Sequence, residues 1–177
     1  FKGRDIRLVD TAGMRRETRG TKKLEGLSVG DALRAIRFAH VVVLTLDSQD
    51  LLEKQDLTIA RMVIEEGRSL ILAVNKWDLV QNHGEALRAL RDRLETSMTQ
   101  ARGIPVVTCS ALTGRGMNKL LPAVLAAYDV WNKRVSTGQL NRWLEGVNDR
   151  HPPPMAAGRR IRLRYITQAK ARPPTFV

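Results

Sequence analysis

Two hydrophobic spacings take turns along the chain. Short apolar runs with period two or no interruption are followed by longer stretches with apolar residues three and four apart. Ile6-Arg7-Leu8-Val9 alternates as a strand, and Phe1 to Asp5 before it reads as a strand end and hairpin turn. Arg15 to Lys23 is basic and polar and reads as a mobile loop. A helix is predicted from about Ser28 to Phe38, with Val29, Ala32, Leu33 and Ile36 at helical spacing. Val41–Asp47 is an apolar strand, Gln55–Glu66 a helix stopped by Gly67, and Ser69–Val74 a second buried strand. A helix from about Glu85 to Thr99 carries Leu87, Leu90 and Leu94 on one face. Pro105–Thr108 is the next strand, and about Met117–Asn132 the closing helix. Strands alternating with helices argue for parallel β/α units.

The pattern changes near Ser136, where a second unit begins. Ser136 or Thr137 can cap a helix with Leu140, Trp143, Leu144 and Val147 on one face. His151-Pro152-Pro153-Pro154 ends it, because proline has no N–H to donate. Ile161-Arg162-Leu163-Arg164-Tyr165-Ile166 then alternates as a half-buried strand with its arginines outward.

Charge sharpens this division. The net charge is +12, and residues 131–177 hold ten Lys/Arg against Glu145 and Asp149, a net +8 that leaves +4 for the first 130 residues. Clustered positive charge favours a polyanion partner, with binding that weakens as salt rises. A hydrophobic content of 43% suffices for a core, and the single cysteine, Cys109, excludes an internal disulfide and suits a reducing, cytoplasmic setting. No apolar run approaches the ~18 residues of a membrane span, so no membrane partner is expected. His40, His83 and His151 are too scattered for a metal site, and no Cys/His spacing fits zinc.

Three strand tips carry candidate chemistry. Asn75-Lys76-Trp77-Asp78 follows the Ser69–Val74 strand. A carboxylate placed like Asp78 accepts two hydrogen bonds from guanine, at N1–H and the 2-amino group. Adenine offers neither, so it would leave a desolvated carboxylate unpaired. Asn75 helps hold the loop and base, the Lys76 stem covers the base face, and Trp77 reads as a packing residue. Asp10-Thr11-Ala12-Gly13 ends the first strand-like run: Asp10 is a candidate to hold Mg²⁺ through a water. Gly13 lets a backbone N–H approach a γ-phosphate without a Cβ in the way. Taken alone, this is an ordinary strand followed by a turn. Cys109-Ser110-Ala111-Leu112 closes the third run. Together the motifs mark the carboxyl ends of successive strands, where open α/β sheets bind ligands. Asp47 reads as a strand end, with a role in the site less favoured.

These residues resemble the P-loop GTPases of the translation-factor type. Further segments are similar to the second GTPase domain of the Der (EngA) double-GTPase family: Asp10 to Arg16, Lys23-Leu24-Glu25, Leu33 to Ala39 and Glu53-Lys54-Gln55-Asp56. In the tail so are Leu140-Asn141-Arg142-Trp143, His151 to Pro154 and Thr167 to Phe176. The resemblance spans nearly the whole chain. It implies a P-loop GTPase-type parallel β/α sheet over residues 1–133 and the start of an α+β KH-like domain over 134–177. It implies GTP/GDP and Mg²⁺ as ligands, with Ser110 and the Ala111 N–H at guanine O6. Arg15 to Lys23 matches switch II. Met14 stands where Ras-like enzymes carry a water-orienting Gln, which implies slow hydrolysis stimulated by K⁺ or by the ribosome. The implied role is a monomeric switch in assembly of the large ribosomal subunit, with ribosomal RNA as partner.

The chain also departs from the pattern. It has no Gly-x-x-x-x-Gly-Lys-[Ser/Thr] loop to cradle phosphates, and its tail has no Gly-x-x-Gly loop of the kind that clamps RNA in ordinary KH domains. By resemblance Phe1 falls inside the family's second strand. The chain is therefore expected to be a fragment lacking the first β-strand and phosphate loop, unstable alone and poor at binding phosphate. Two functions follow: the guanine half of a GTPase, or a basic RNA- or ribosome-binding module with a non-functional nucleotide site. A phosphate loop upstream of Phe1 would decide for the first.

Overall fold

The computed structural model describes residues 1–10, 29–98, 103–151, 153–155 and 161–177, with the side chains of 29–32 outside that description. The chain divides into two compact units, Phe1–Tyr128 and Asp129–Val177.

In the first unit, α1 (Val29–Phe38) leads into β1 (Val41–Asp47), α2 (Lys54–Glu65) and β2 (Ser69–Asn75). A 3₁₀ turn at Trp77–Leu79 precedes α3 (His83–Ser97), β3 (Val106–Thr108), a second 3₁₀ turn at Met117–Lys119 and α4 (Leu120–Trp131). The strands form one parallel sheet in the order β1-β2-β3. Its central strand explains its own sequence. Leu70, Leu72 and Val74 of β2 point into a layer with Ile59, Ala60 and Val63 of α2 and Leu90 of α3. Ile71 points the opposite way, against Val107 and against Ala123, Val124 and Ala127 of α4. A strand covered on both faces needs an unbroken apolar run rather than alternation. The helix starts are capped locally. The Glu53 N–H donates to Asp56 Oδ2 at 3.1 Å ahead of α2, and the Glu85 N–H to Asn82 Oδ1 at 3.2 Å in α3.

The expected strand at Ile6–Val9 does not form. A turn at Lys2 and Gly3 is present, but residues 4–10 run without a ladder, and Leu8 is 88% exposed. Alternation marks a face that can be buried; a strand exists only where a neighbour supplies the hydrogen bonds, and no strand pairs with this segment among the described residues. The loop expected at Arg15 to Lys23 lies outside the described residues.

The second unit contains α5 (Thr137–Arg150) and a short antiparallel pair, β4 (Gln168–Lys170) and β5 (Thr175–Phe176). Ser136 is the cap: its Oγ accepts from the Gln139 N–H at 3.3 Å, and Gln139 Oε1 accepts from the Ser136 N–H at 3.4 Å. Leu140 and Leu144 are buried as expected, but Trp143 is 60% exposed and does not share their face. Residues 161–166 are not the expected strand either. The side chain of Asn141 takes both backbone groups of Ile166, accepting from its N–H at 3.1 Å and donating to its carbonyl at 3.0 Å. Asn148 Nδ2 donates to the Leu163 carbonyl at 2.8 Å. Side-chain amides on α5 therefore occupy the groups a ladder would use, and Leu163 and Tyr165 stay exposed.

Gln168 closes this unit. It is buried, its Oε1 accepts from the Val135 N–H at 2.7 Å, and its Nε2 donates to the Lys133 carbonyl at 3.1 Å. Gln168→Ala strands both backbone groups, so it is expected to destabilise the unit by about 1–3 kcal/mol. Urea unfolding followed at the tryptophans checks this; a loss under about 0.5 kcal/mol, the usual scale of a surface change, would rule the clamp out.

Candidate functional site

The carboxyl ends of β1, β2 and β3 lie level, and the site is built on them. Register pairs Asp47 with Asn75 and Val74 with Thr108, so the three strands deliver Asp47-Ser48, Asn75-Lys76 and Cys109-Ser110 to one rim. From there the β2 exit must turn sharply. Lys76 does so in the left-handed region at φ 58°, a conformation that costs an ordinary residue roughly 1–2 kcal/mol. Trp77 is buried behind the turn and stacks on the His83 ring, with centroids 5.2 Å apart, in the packing role expected of it.

Bonds from both sides hold that turn. From β1, the Ser48 N–H donates to the Asn75 carbonyl at 3.1 Å and Ser48 Oγ donates to the Lys76 carbonyl at 2.8 Å. Lys76 Nζ donates to Asp47 Oδ2 at 2.6 Å, an ion pair in which the Asp47 side chain is only 13% exposed. From β3, the Trp77 N–H donates to the Cys109 carbonyl at 3.1 Å, and the Ala111 N–H donates to Asn75 Oδ1 at 2.9 Å. Asn75 thus joins two of the three motifs directly.

The loop beyond β3 is knotted on Ser110, which is buried. Its carbonyl accepts from the Gly114 N–H at 2.9 Å, its N–H donates to the Arg115 carbonyl at 2.9 Å, and its Oγ accepts from the Thr113 N–H at 3.1 Å. Cys109 is buried beside it, and burial pushes its thiol up from the ordinary cysteine value, as suits a packing residue.

Four sequence-predicted residues, Asn75, Lys76, Asp78 and Ser110, line one cleft of about 280 Å³. Its other walls are Leu79 and Leu112, large apolar side chains left 56% and 88% exposed. Exposed apolar walls beside an exposed carboxylate suit a flat heterocycle with polar edges. A second cleft of about 250 Å³ shares Asp78 and Ser110 with the first and carries His83, Arg115 and Lys119. Ala111 contributes its backbone N–H, which is already engaged by Asn75, so a carbonyl arriving there must share that donor.

Other predicted positions are not gathered here. Asp10 ends the exposed segment 4–10 and does not line this cleft. Gly13 and Met14 lie outside the described residues. Among the described residues no group of three or more His, Cys, Asp or Glu could hold a metal ion. Among them, too, no helix is long and apolar enough to cross a membrane. Reading the sequence weighed Asp47 and favoured a plain strand end for it, and it did not single out Ser48, Leu79 or Leu112. Counting back from the last apolar residue of β1 and β2 would have set Asp47 opposite Asn75; the apolar walls had no comparable signal.

Comparison with known proteins identifies the family. The model described as the elongation factor Tu GTP binding domain matches residues 29–129. The model described as the KH-domain-like, C-terminal domain of EngA bacterial GTPase enzymes matches residues 134–177. A relative named GTPase Der from Parvibaculum lavamentivorans is 54% identical over 176 residues, 99% of this chain and 37% of its own length. Another GTPase Der, from Mesorhizobium japonicum, is 55% identical over 177 residues, 100% of this chain and 37% of its own length. The chain spans a little over a third of these curated relatives. A solved structure of Era, in complex with MgGDPNP and nucleotides 1506–1542 of 16S ribosomal RNA, aligns with a TM-score of 0.49 at 21% identity, over 56% of this chain and 32% of that one. The chain belongs to the elongation factor Tu-type GTP-binding family and, within it, to the GTPase Der (EngA) family.

Proposed function

We propose that this chain supplies the guanine-recognition half of a GTP-hydrolysing switch that acts in assembly of the large ribosomal subunit. The observation that carries the reading is the Asn75–Asp78 turn, bonded through Asn75 Oδ1 to the Ala111 N–H and opening on a cleft with apolar walls. Asp78 reads the guanine edge, Leu79, Leu112 and the Lys76 stem cover its faces, and Ser110 and Ala111 close the O6 side. The 37% share of the relatives' length leaves room in the whole protein for the phosphate-binding half. There Asp10 would support Mg²⁺, Gly13 would sense the γ-phosphate, and Met14, unable to orient water, would leave that task to a cation such as K⁺ and to backbone groups. The residues of the cleft fit the base, and Mg²⁺ would sit with the phosphates rather than in this cleft.

The net +8 of residues 131–177 supports the ribosomal part of the proposal. Arg162 and Arg164 are exposed, and a surface of this kind docks on RNA phosphates rather than reading single strands. The deciding experiment is a titration of fluorescent GDP against unlabelled GDP and ATP, on this chain and on the full-length protein that contains it. Displacement by GDP and not by ATP in the full-length protein is expected. A folded full-length protein that binds neither, or prefers ATP, hands the function to the basic RNA-binding surface.

A further inference from the structure

We propose that Asp47, at the end of β1, is a positioning residue for guanine recognition, acting through Lys76. The inference rests on the reading of Asn75–Asp78 as the base site.

The β2 exit has a geometric problem. Asn75 ends the strand, and Asp78 must point into the same cleft three residues later, across a 3₁₀ turn that begins at Trp77. Lys76 makes this possible only by adopting φ 58°, which a lysine does not favour on its own. A strained residue persists where its surroundings over-determine it. The end of β1 does that here at two points, one on the backbone and one on the side chain. Ser48 Oγ holds the Lys76 carbonyl at 2.8 Å, and Asp47 Oδ2 holds the Lys76 ammonium at 2.6 Å.

Asp47 is itself placed with little freedom. Its backbone is in parallel register with Asn75, and its Oδ1 accepts from the Gln49 N–H at 3.0 Å, which orients the carboxylate and leaves Oδ2 for the lysine. It is mostly buried whereas Lys76 is 54% exposed, so the fixed partner is the carboxylate and the adjustable one the lysine. Pinning the ammonium extends the lysine stem along the rim of the cleft lined by Asn75 and Asp78. A stem held there can cover a base face, whereas a free one sweeps solvent and must be ordered anew at each binding event.

The test uses the full-length protein and two conservative changes. Asp47→Asn keeps size and the acceptor for Gln49 while removing the charge. Lys76→Met keeps the stem while removing the ammonium. Each is expected to weaken GDP binding about tenfold, and the double variant to weaken it no further than either single one, the signature of a shared interaction. The melting temperature of the ligand-free protein should move by no more than about 2 °C, since the pair sits at the rim rather than in the core. Three results overturn the proposal: unchanged GDP affinity in either single variant, losses that multiply in the double variant, or a large drop in melting temperature with GDP affinity intact. The underlying base reading fails differently, by a parent protein that binds GDP no better than ADP.

Discussion

Asp78→Asn is expected to lower GDP affinity by about 100-fold or more and to turn the preference toward xanthosine diphosphate. The reasoning needs only the hydrogen-bonding inventory of the two side chains. A carboxylate accepts at both oxygens and matches two adjacent donors on guanine, N1–H and the 2-amino group. An amide accepts at one atom and donates at the other. One of its groups must then face a guanine donor with a donor of its own, and the bound base keeps water from satisfying either. Xanthine replaces the 2-amino group with a carbonyl, which the amide N–H satisfies. Asp78 is well suited to such a swap, because it is exposed at the cleft wall and carries no part of the apolar core. The variant should keep its melting temperature, so lost binding would report recognition rather than unfolding. Competition of GDP, xanthosine diphosphate and ADP against labelled GDP or its xanthosine counterpart, in the full-length protein, makes the measurement. A variant that still prefers GDP over xanthosine diphosphate would mean that Asp78 does not face the base edge.

What could be read from the chain beforehand divides along a physical line. The β1 and β2 runs, the helix between them and the Asn75–Asp78 tip were legible because each follows from local pattern: an unbroken apolar run, a helical spacing, a polar exit. Strand ladders at Ile6–Val9 and Ile161–Ile166 were not, because alternation describes one partner of an interaction that takes two. For the second segment the reason is specific: Asn141 and Asn148 on α5 had first claim on its backbone groups. Trp143 was misplaced for a related reason. Helical spacing puts it near Leu140 and Leu144, but the face to be buried is chosen by what lies opposite, which the spacing does not contain. In the site, the polar side chains proposed to meet a base, Asn75, Lys76 and Asp78, were legible by motif, while the apolar walls Leu79 and Leu112 were not. The ones that hold the motif in shape, Asp47 and Ser48, come from 28 to 29 residues away and became visible only through register.

Among the glycines whose surroundings are described, Gly116→Ala is expected to be the most damaging substitution, and Gly114→Ala, two residues earlier, the informative control. Both glycines are left-handed, at φ 78° and 74°. For Gly114 nothing lies within 4 Å of an added Cβ, so the substitution costs the conformational strain alone, roughly 1–2 kcal/mol. At Gly116 the Cβ would overlap the Thr108 carbonyl oxygen and meet Cys109 Cα at 3.2 Å. Those are backbone atoms of β3 and its exit, which cannot rotate aside as a side chain can. Relief requires moving residues 108–109, and they are the ones that receive β2: the Cys109 N–H donates to the Val74 carbonyl at 2.8 Å, and the Cys109 carbonyl accepts from the Trp77 N–H at 3.1 Å. The strain therefore arrives at the Asn75–Asp78 turn from behind. A total cost of about 3 kcal/mol or more is expected, strain and overpacking together, with GDP binding lost even where the fold survives. Thermal unfolding and GDP titration of both variants in the full-length protein separate the terms. Gly114→Ala should melt slightly lower and still bind. If Gly116→Ala matches it in both readouts, then β3 is not braced by this close approach, and the base site does not depend on the loop that follows it.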